Sequence, residues 1–111
     1  MGDRGNIVVK DGNSKVYLYS HWCGSQLPEI ARASLKRGKD RWNDGQYLAR
    51  ILFTDMINGD NGTTGYGISS VICDGGETVI VDCDAQTVEA YDDPPMSISE
   101  FVLASPKEEA A

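Results

Sequence analysis

The hydrophobic period of this chain changes twice, and each change narrows the folds open to it. Residues Asn6 to His21 read as strands, with alternating faces on the second, Leu27 to Ile57 follow the three-to-four-residue repeat of helices, and Tyr66 to Tyr91 read as strands again. A pure helix bundle or a pure sandwich fits neither switch. The predicted class is therefore α+β: an antiparallel sheet of about five strands, in the order β-β-α-α-β-β-β, with two helices packed on one face. With 111 residues the chain fills one two-layer core and has no room for a second. The expected domain spans 1–96, and 97–111 forms a short C-terminal segment and acidic tail.

Local signals place the elements. Asp11-Gly12-Asn13-Ser14 supplies turn residues between strands over 6–10 and 15–21. On the second strand Val16, Leu18 and Ser20 share one face and Tyr17, Tyr19 and His21 the other. Ser25 is the expected cap of a first helix that carries Leu27, Ile30, Ala31 and Leu35 on one stripe and ends at Gly38. Asn43 or Asp44 caps a second, with Tyr47, Leu48, Ile51, Leu52, Met56 and Ile57 on its apolar side and Asn58-Gly59 as its stop. Short turns then predict a three-stranded meander over 66–73, 78–83 and 87–91. Asp92 to Met96 breaks the sheet, and Ser97 to Leu103 forms either a short helix capped by Ser97 or an edge strand.

Charge is distributed unevenly. Residues 1–53 hold nine Lys or Arg against five Asp or Glu, a balance of +4, whereas 54–111 hold one Lys against twelve acids, −11; together they give the net −7. Such polarity points to interaction surfaces, while solvated faces account for it equally simply. Because the basic run Lys36-Arg37-Gly38-Lys39-Asp40-Arg41 suits the C-terminal end of a helix dipole, direct nucleic-acid binding is not expected. No apolar run is long enough to span a membrane and the N-terminus lacks a signal-peptide layout, so a cytoplasmic location in a bacterial host is expected. Cys23, Cys73 and Cys83 form an odd, widely spaced set, which fits free thiols in a reducing compartment and neither a disulfide framework nor a zinc site.

Candidate chemistry is sparse. His21 and Cys23 share a strand face if the strand continues, a weak nucleophile-base pairing. The acids are not spaced as a metal loop, and neither a metal nor a cofactor is expected. The glycine-rich loop from Gly59 to Gly65 has hydroxyls suited to an anion but lacks the lysine and the strand-to-helix context of a phosphate loop. If it binds an anion, His21, Trp22, Arg41, Trp42, Thr63, Thr64 and Tyr66 are expected to converge there. Asp74, Glu77, Asp82, Asp84, Glu89, Asp92 and Asp93 form an expected acidic rim for a basic protein partner.

The strings Val16-Tyr-Leu-Tyr-Ser-His-Trp-Cys-Gly24, Arg41-Trp-Asn-Asp44, Tyr47-Leu-Ala-Arg50 and Thr63-Thr-Gly-Tyr-Gly-Ile-Ser69 resemble a group of small uncharacterised proteins of phages, prophages and bacterial genomes. The resemblance implies a setting and no activity. In layout the chain also resembles part of the N-terminal-nucleophile hydrolase fold, but Met1-Gly2-Asp3 offers no nucleophile at a strand start. The leading expectation is a non-enzymatic accessory protein that binds a host or phage protein through its polarised surface. A binder of a nucleotide-like anion and a hydrolase using His21 are the alternatives. A homo-oligomer also stays open, with Thr87 to Tyr91 as the candidate edge for pairing two copies.

Overall fold

A computed structural model of the chain describes residues 3–71, 77–91 and 93–104. Gly5–Asp11 (β1) and Ser14–Ser20 (β2) form the predicted antiparallel hairpin, with Gly12 at φ +63 in its turn and Ile7 opposite Leu18. A single helical turn over Gly24–Gln26 then leads into Leu27–Arg37 (α1), with Pro28 in the first turn. Ser25 is not the cap of this helix: its N–H and hydroxyl donate to the Asp3 carboxylate, tying the N-terminus to the turn instead. Gly45–Ile57 (α2) begins at Asp44, whose carboxylate accepts the Tyr47 N–H, and ends at Asn58, which adopts the left-handed conformation and is followed by Gly59 at φ +85.

The three later strands do not form a meander. Tyr66–Ser69 (β3) pairs with β2, whereas Glu77–Asp82 (β4) runs parallel to β1 and antiparallel to Thr87–Ala90 (β5). Met96–Ser97 (β6) adds a sixth strand, giving the mixed order β3-β2-β1-β4-β5-β6. Burial explains the arrangement. Ile7-Val8-Val9 and Val79-Ile80-Val81 are near-continuous apolar runs, which belong at a sheet centre, where neighbouring strands flank them on both sides. Ile7 and Val79, partners in the parallel ladder, are fully buried, as is Val81. β3, with Gly67 inside it and none of its four residues fully buried, lies at an edge. The segment Thr87 to Tyr91, expected as an edge, is flanked by β4 and β6.

Ile98–Leu103 (α3) is a third helix with the predicted Ser97 cap, completed by Glu100 as a capping box. All three helices pack on one sheet face. There Ile7, Val9, Leu18, Val79, Val81 and Val88 meet Leu27, Ala31 and Leu35 of α1, Leu48, Leu52 and Met56 of α2, and Ile98 and Phe101 of α3. The predicted stripe of α1 holds and that of α2 holds at Leu48, Leu52 and Met56, but Ala49 and Phe53 pack against the core in place of the expected Ile51 and Ile57, and Tyr47 is 53% exposed beneath the Arg41 guanidinium. The fully buried Ser34 donates to the Asp55 carboxylate at 2.6 Å, and Arg37 reaches its other oxygen at 2.8 Å, joining α1 to α2. Among the described residues no helix is long and apolar enough to cross a membrane.

Candidate functional site

Alternation along β1 and β2 sends Val8, Tyr17, Tyr19 and His21 away from the helices. The registers align Ser69, Tyr17, Val8, Ile80 and Glu89 in one row across five strands, and Gly67, Tyr19, Asn6 and Thr78 in the next. Lys15, Lys10, Asp82 and Thr87 make a third row. Val8 is only 4% exposed although it lies outside the helix-side core, so its flat neighbours on the open face shield it. Lys10 and Asp82 pair across the strands at 3.6 Å. The open face thus grades from a cationic corner, through an aromatic and aliphatic middle, to a carboxylate on β5.

At the end of β2 an aromatic cluster spans the sheet, from Tyr19 and His21 on this face to Tyr66, which is opposite Ser20 and packs against the helix-side core. The Tyr19 hydroxyl lies 3.0 Å from His21 Nδ1, the Trp22 ring meets His21 edge-on at 6.1 Å, and Tyr66 stands perpendicular to Trp22 at 5.5 Å. Gly65 closes the cluster from below. Its carbonyl accepts the His21 N–H at 2.8 Å, its φ is +95, and a Cβ there would sit 2.1 Å from the Trp22 ring. Burial raises the Tyr66 phenol above its ordinary pKa, with smaller contributions from Cys23 and Asp60. Trp22 remains 49% exposed, so the cluster presents a ring edge to solvent.

The pairing of His21 with Cys23 does not form. Ser20 Oγ accepts the N–H groups of Trp22 and Cys23 and lies 2.9 Å from Cys23 Sγ, which turns the chain so that Cys23 enters the helix-side core. His21 stays beside Tyr19. Cys83 is likewise buried, and its thiol is pushed up to about 11, chiefly by desolvation and then by the charges of Asp11, Asp84, Asp82 and Asp44. The raised thiol of Cys83 is therefore not an activated nucleophile.

The expected anion site is divided between two ends of the molecule. His21, Trp22 and Tyr66 come together, and exposed Thr63 and Thr64 lie just before Gly65. Arg41 and Trp42 do not join them. The Trp42 carbonyl accepts from Gln86 in the turn after β4, and its indole N–H donates to Leu35. They therefore lie at the Asp11 end of β1, roughly 20 Å from the His21 end at the usual strand rise. A groove of about 390 Å³ at that end is lined by Val9, Asp11, Lys15, Val16, Gly45 and Ala49. It faces the start of α2, yet the Asp11 carboxylate already accepts the Gly45 N–H at 2.8 Å and fills the place an anion would take.

The acidic rim is dispersed too. Asp82 accepts from the Asp84 and Ala85 N–H groups, which lowers its pKa together with the contribution of Lys10, while Asp84 accepts from Gly12. These two carboxylates stabilise turns. Glu77 and Asp93 lie at the opposite end of the β4–β5 pair and Glu89 on the open face; Asp74 and Asp92 lie outside the described residues, as do Cys73 and 105–111. Among the described residues no cluster of three or more His, Cys, Asp or Glu is disposed to hold a metal.

Sequence reasoning identified the tyrosine face but did not anticipate that Val8 and Ile80 would continue it. The apolar runs at 7–9 and 79–81, too uniform for a half-exposed strand, carried that signal. Comparison with family models, curated proteins and solved structures gave no match to this chain, so the geometry stands alone as the guide to function.

Proposed function

We propose that the protein is a non-enzymatic binding module, in a phage or prophage setting, that captures a partner protein on the helix-free face of its sheet. The observation that supports this is the row Tyr17, Val8, Ile80, in which half-buried Tyr17 and Ile80 flank the covered Val8 across three central strands with no helix over them among the described residues. Tyrosines in such a place offer large rigid contact area with a polar tip, the composition of interface anchors. The partner is a protein surface with an apolar patch and a basic side chain to meet Glu89, which borders the row.

The test uses immobilised wild-type protein and two folded variants, Tyr17→Ser/Tyr19→Ser and Glu89→Lys, exposed to the same bacterial lysate. A protein retained by the wild type, lost from both variants and eluted as salt rises is the expected result. Equal retention by all three, or no retained protein, refutes the proposal.

A further inference from the structure

The free edge of the sheet at β3 lacks the protection that edges usually carry. Natural edge strands are blunted by charge, proline, a bulge or extreme shortness. β6, at the other edge, has only two residues and follows Pro94 and Pro95. β3 has no such device: no charged residue occurs from Asn61 to Val71, Ile68 is 62% exposed and Val71 66% exposed. Among the described residues its one partner is β2.

The direction of its backbone groups follows from the ladder. Ser20 is opposite Tyr66, so His21 is opposite Gly65, and the His21 N–H donates to the Gly65 carbonyl. Opposed residues in an antiparallel pair alternate between hydrogen-bonded and non-hydrogen-bonded. Gly67 and Ser69 therefore bond inward to β2, while the N–H and C=O of Tyr66 and Ile68 point outward from the sheet.

We propose that this edge pairs with a second copy of the chain, β3 against β3 in antiparallel register about a two-fold axis at Gly67. That register sets Tyr66 of each copy opposite Ile68 of the other and satisfies all four outward groups of each strand segment. It creates two reciprocal aromatic–aliphatic cross-strand pairs, a favourable combination. The axis falls on a non-hydrogen-bonded pair, where opposing side chains crowd most closely. Gly67 has no side chain there, and a Cβ built on it would meet nothing within 4 Å.

Charge selects a second copy over a foreign strand. With no charged side chain of its own, β3 has nothing by which to recognise a basic or acidic segment, whereas a two-fold contact needs only self-complementarity. Most of the net charge of −7 is set back from the contact, because the acids of β4 and β5 are at the far side of the sheet, although Asp60, which precedes the strand and acts on Tyr66, is nearer. β4 is three strand spacings from β3, about 14 Å, and β5 about 19 Å, both beyond the roughly 8 Å screening length of physiological salt. In the dimer the two open faces join into one continuous surface, with Gly67 and Ser69 of both copies at its centre. The proposal concerns an edge rather than that face, and so stands or falls separately from the partner-binding reading.

The experiment is sedimentation equilibrium of the full chain from low micromolar to sub-millimolar concentration, combined with amide hydrogen exchange. The expected result is a species of twice the 12.1 kDa chain mass. The Tyr66 and Ile68 amides should be protected at high concentration and exchange freely on dilution. Ile68→Lys, at a position already solvent-exposed, should give a monomer with an unchanged circular dichroism spectrum, and Leu103→Lys on α3 should remain dimeric. Three outcomes overturn the proposal: a monomer throughout the range, a dimer that survives Ile68→Lys, or concentration-independent exchange at both amides. Protection of those amides in a monomer would overturn it as well, by assigning the edge to another segment of the same chain.

Discussion

Replacing Gly65 by alanine tests whether the aromatic cluster at the end of β2 is built on that residue. Two costs are expected. The first is backbone strain, because φ is +95 at Gly65, a conformation that costs a non-glycine residue about 1–3 kcal/mol. The second comes from contact: the new methyl would lie 2.1, 2.3 and 2.7 Å from three atoms of the Trp22 ring. Overpacking of a fixed ring costs about 1–3 kcal/mol. Trp22 is half exposed and can swing outward instead, giving up its edge-on contact with Tyr66, worth about 0.5–1.5 kcal/mol. The cheaper route wins, so the contact contributes about 1 kcal/mol beyond strain, roughly fivefold in the folding equilibrium. Gly59 isolates that part, since its φ is +85 and a Cβ there would meet nothing within 4 Å. Urea unfolding should rank Gly65→Ala below Gly59→Ala by that margin, with a change in tryptophan fluorescence in the Gly65 variant alone. Equal midpoints, or unaltered fluorescence, would refute the assignment of Gly65 as the floor of the cluster.

Two further expectations concern buried polar groups. Ser34→Ala removes the fully buried hydroxyl that donates to Asp55, so a loss of about 1–2 kcal/mol is expected by chemical denaturation, and a loss below about 0.3 kcal/mol would show that the link between α1 and α2 carries no stability. The second is alkaline lability. Burial, followed by the charges of Glu77 and Asp3, pushes the Tyr91 phenol up to about 12 from 10.0, and burial pushes the Cys83 thiol up to about 11 from 9.0. Both groups are neutral when protonated, so their contribution is complete below the unfolded values and is lost as pH rises through about 9 to 12. The urea midpoint should fall across that range; a midpoint that holds steady there would contradict the burial of both groups.

Much of the architecture is legible in the residues themselves. The hairpin, α2 and the short final helix rest on local chemistry: Gly12 at the turn, Asp44 and Ser97 as caps, Asn58 and Gly59 as a stop. The division of β2 into an aliphatic and an aromatic face also follows from strand alternation alone, and with it the location of Tyr17 and Tyr19. Sequence signals of this kind act over a few residues, so they report reliably on elements and faces.

Strand order and the company each side chain keeps were decided by tertiary structure. Short spacing suggested that 66–73 and 78–83 would be neighbours, but the sheet places the two most apolar strands, β1 and β4, side by side at its centre and β3 at the far edge. The gain from burying Ile7, Val8, Val79 and Val81 together outweighs the entropic cost of the longer closure, which grows only slowly with loop length. The same choice separates Arg41 and Trp42 from His21 and brings Asp84 to the Gly12 N–H, whereas the turns that send Cys23 into the core and occupy Asp82 are local, made through the Ser20 hydroxyl and the Asp84 and Ala85 N–H groups. A candidate site read from residue types assumes that those residues meet; whether they do depends on which strands share a ladder, and that is fixed by the burial of the whole sheet.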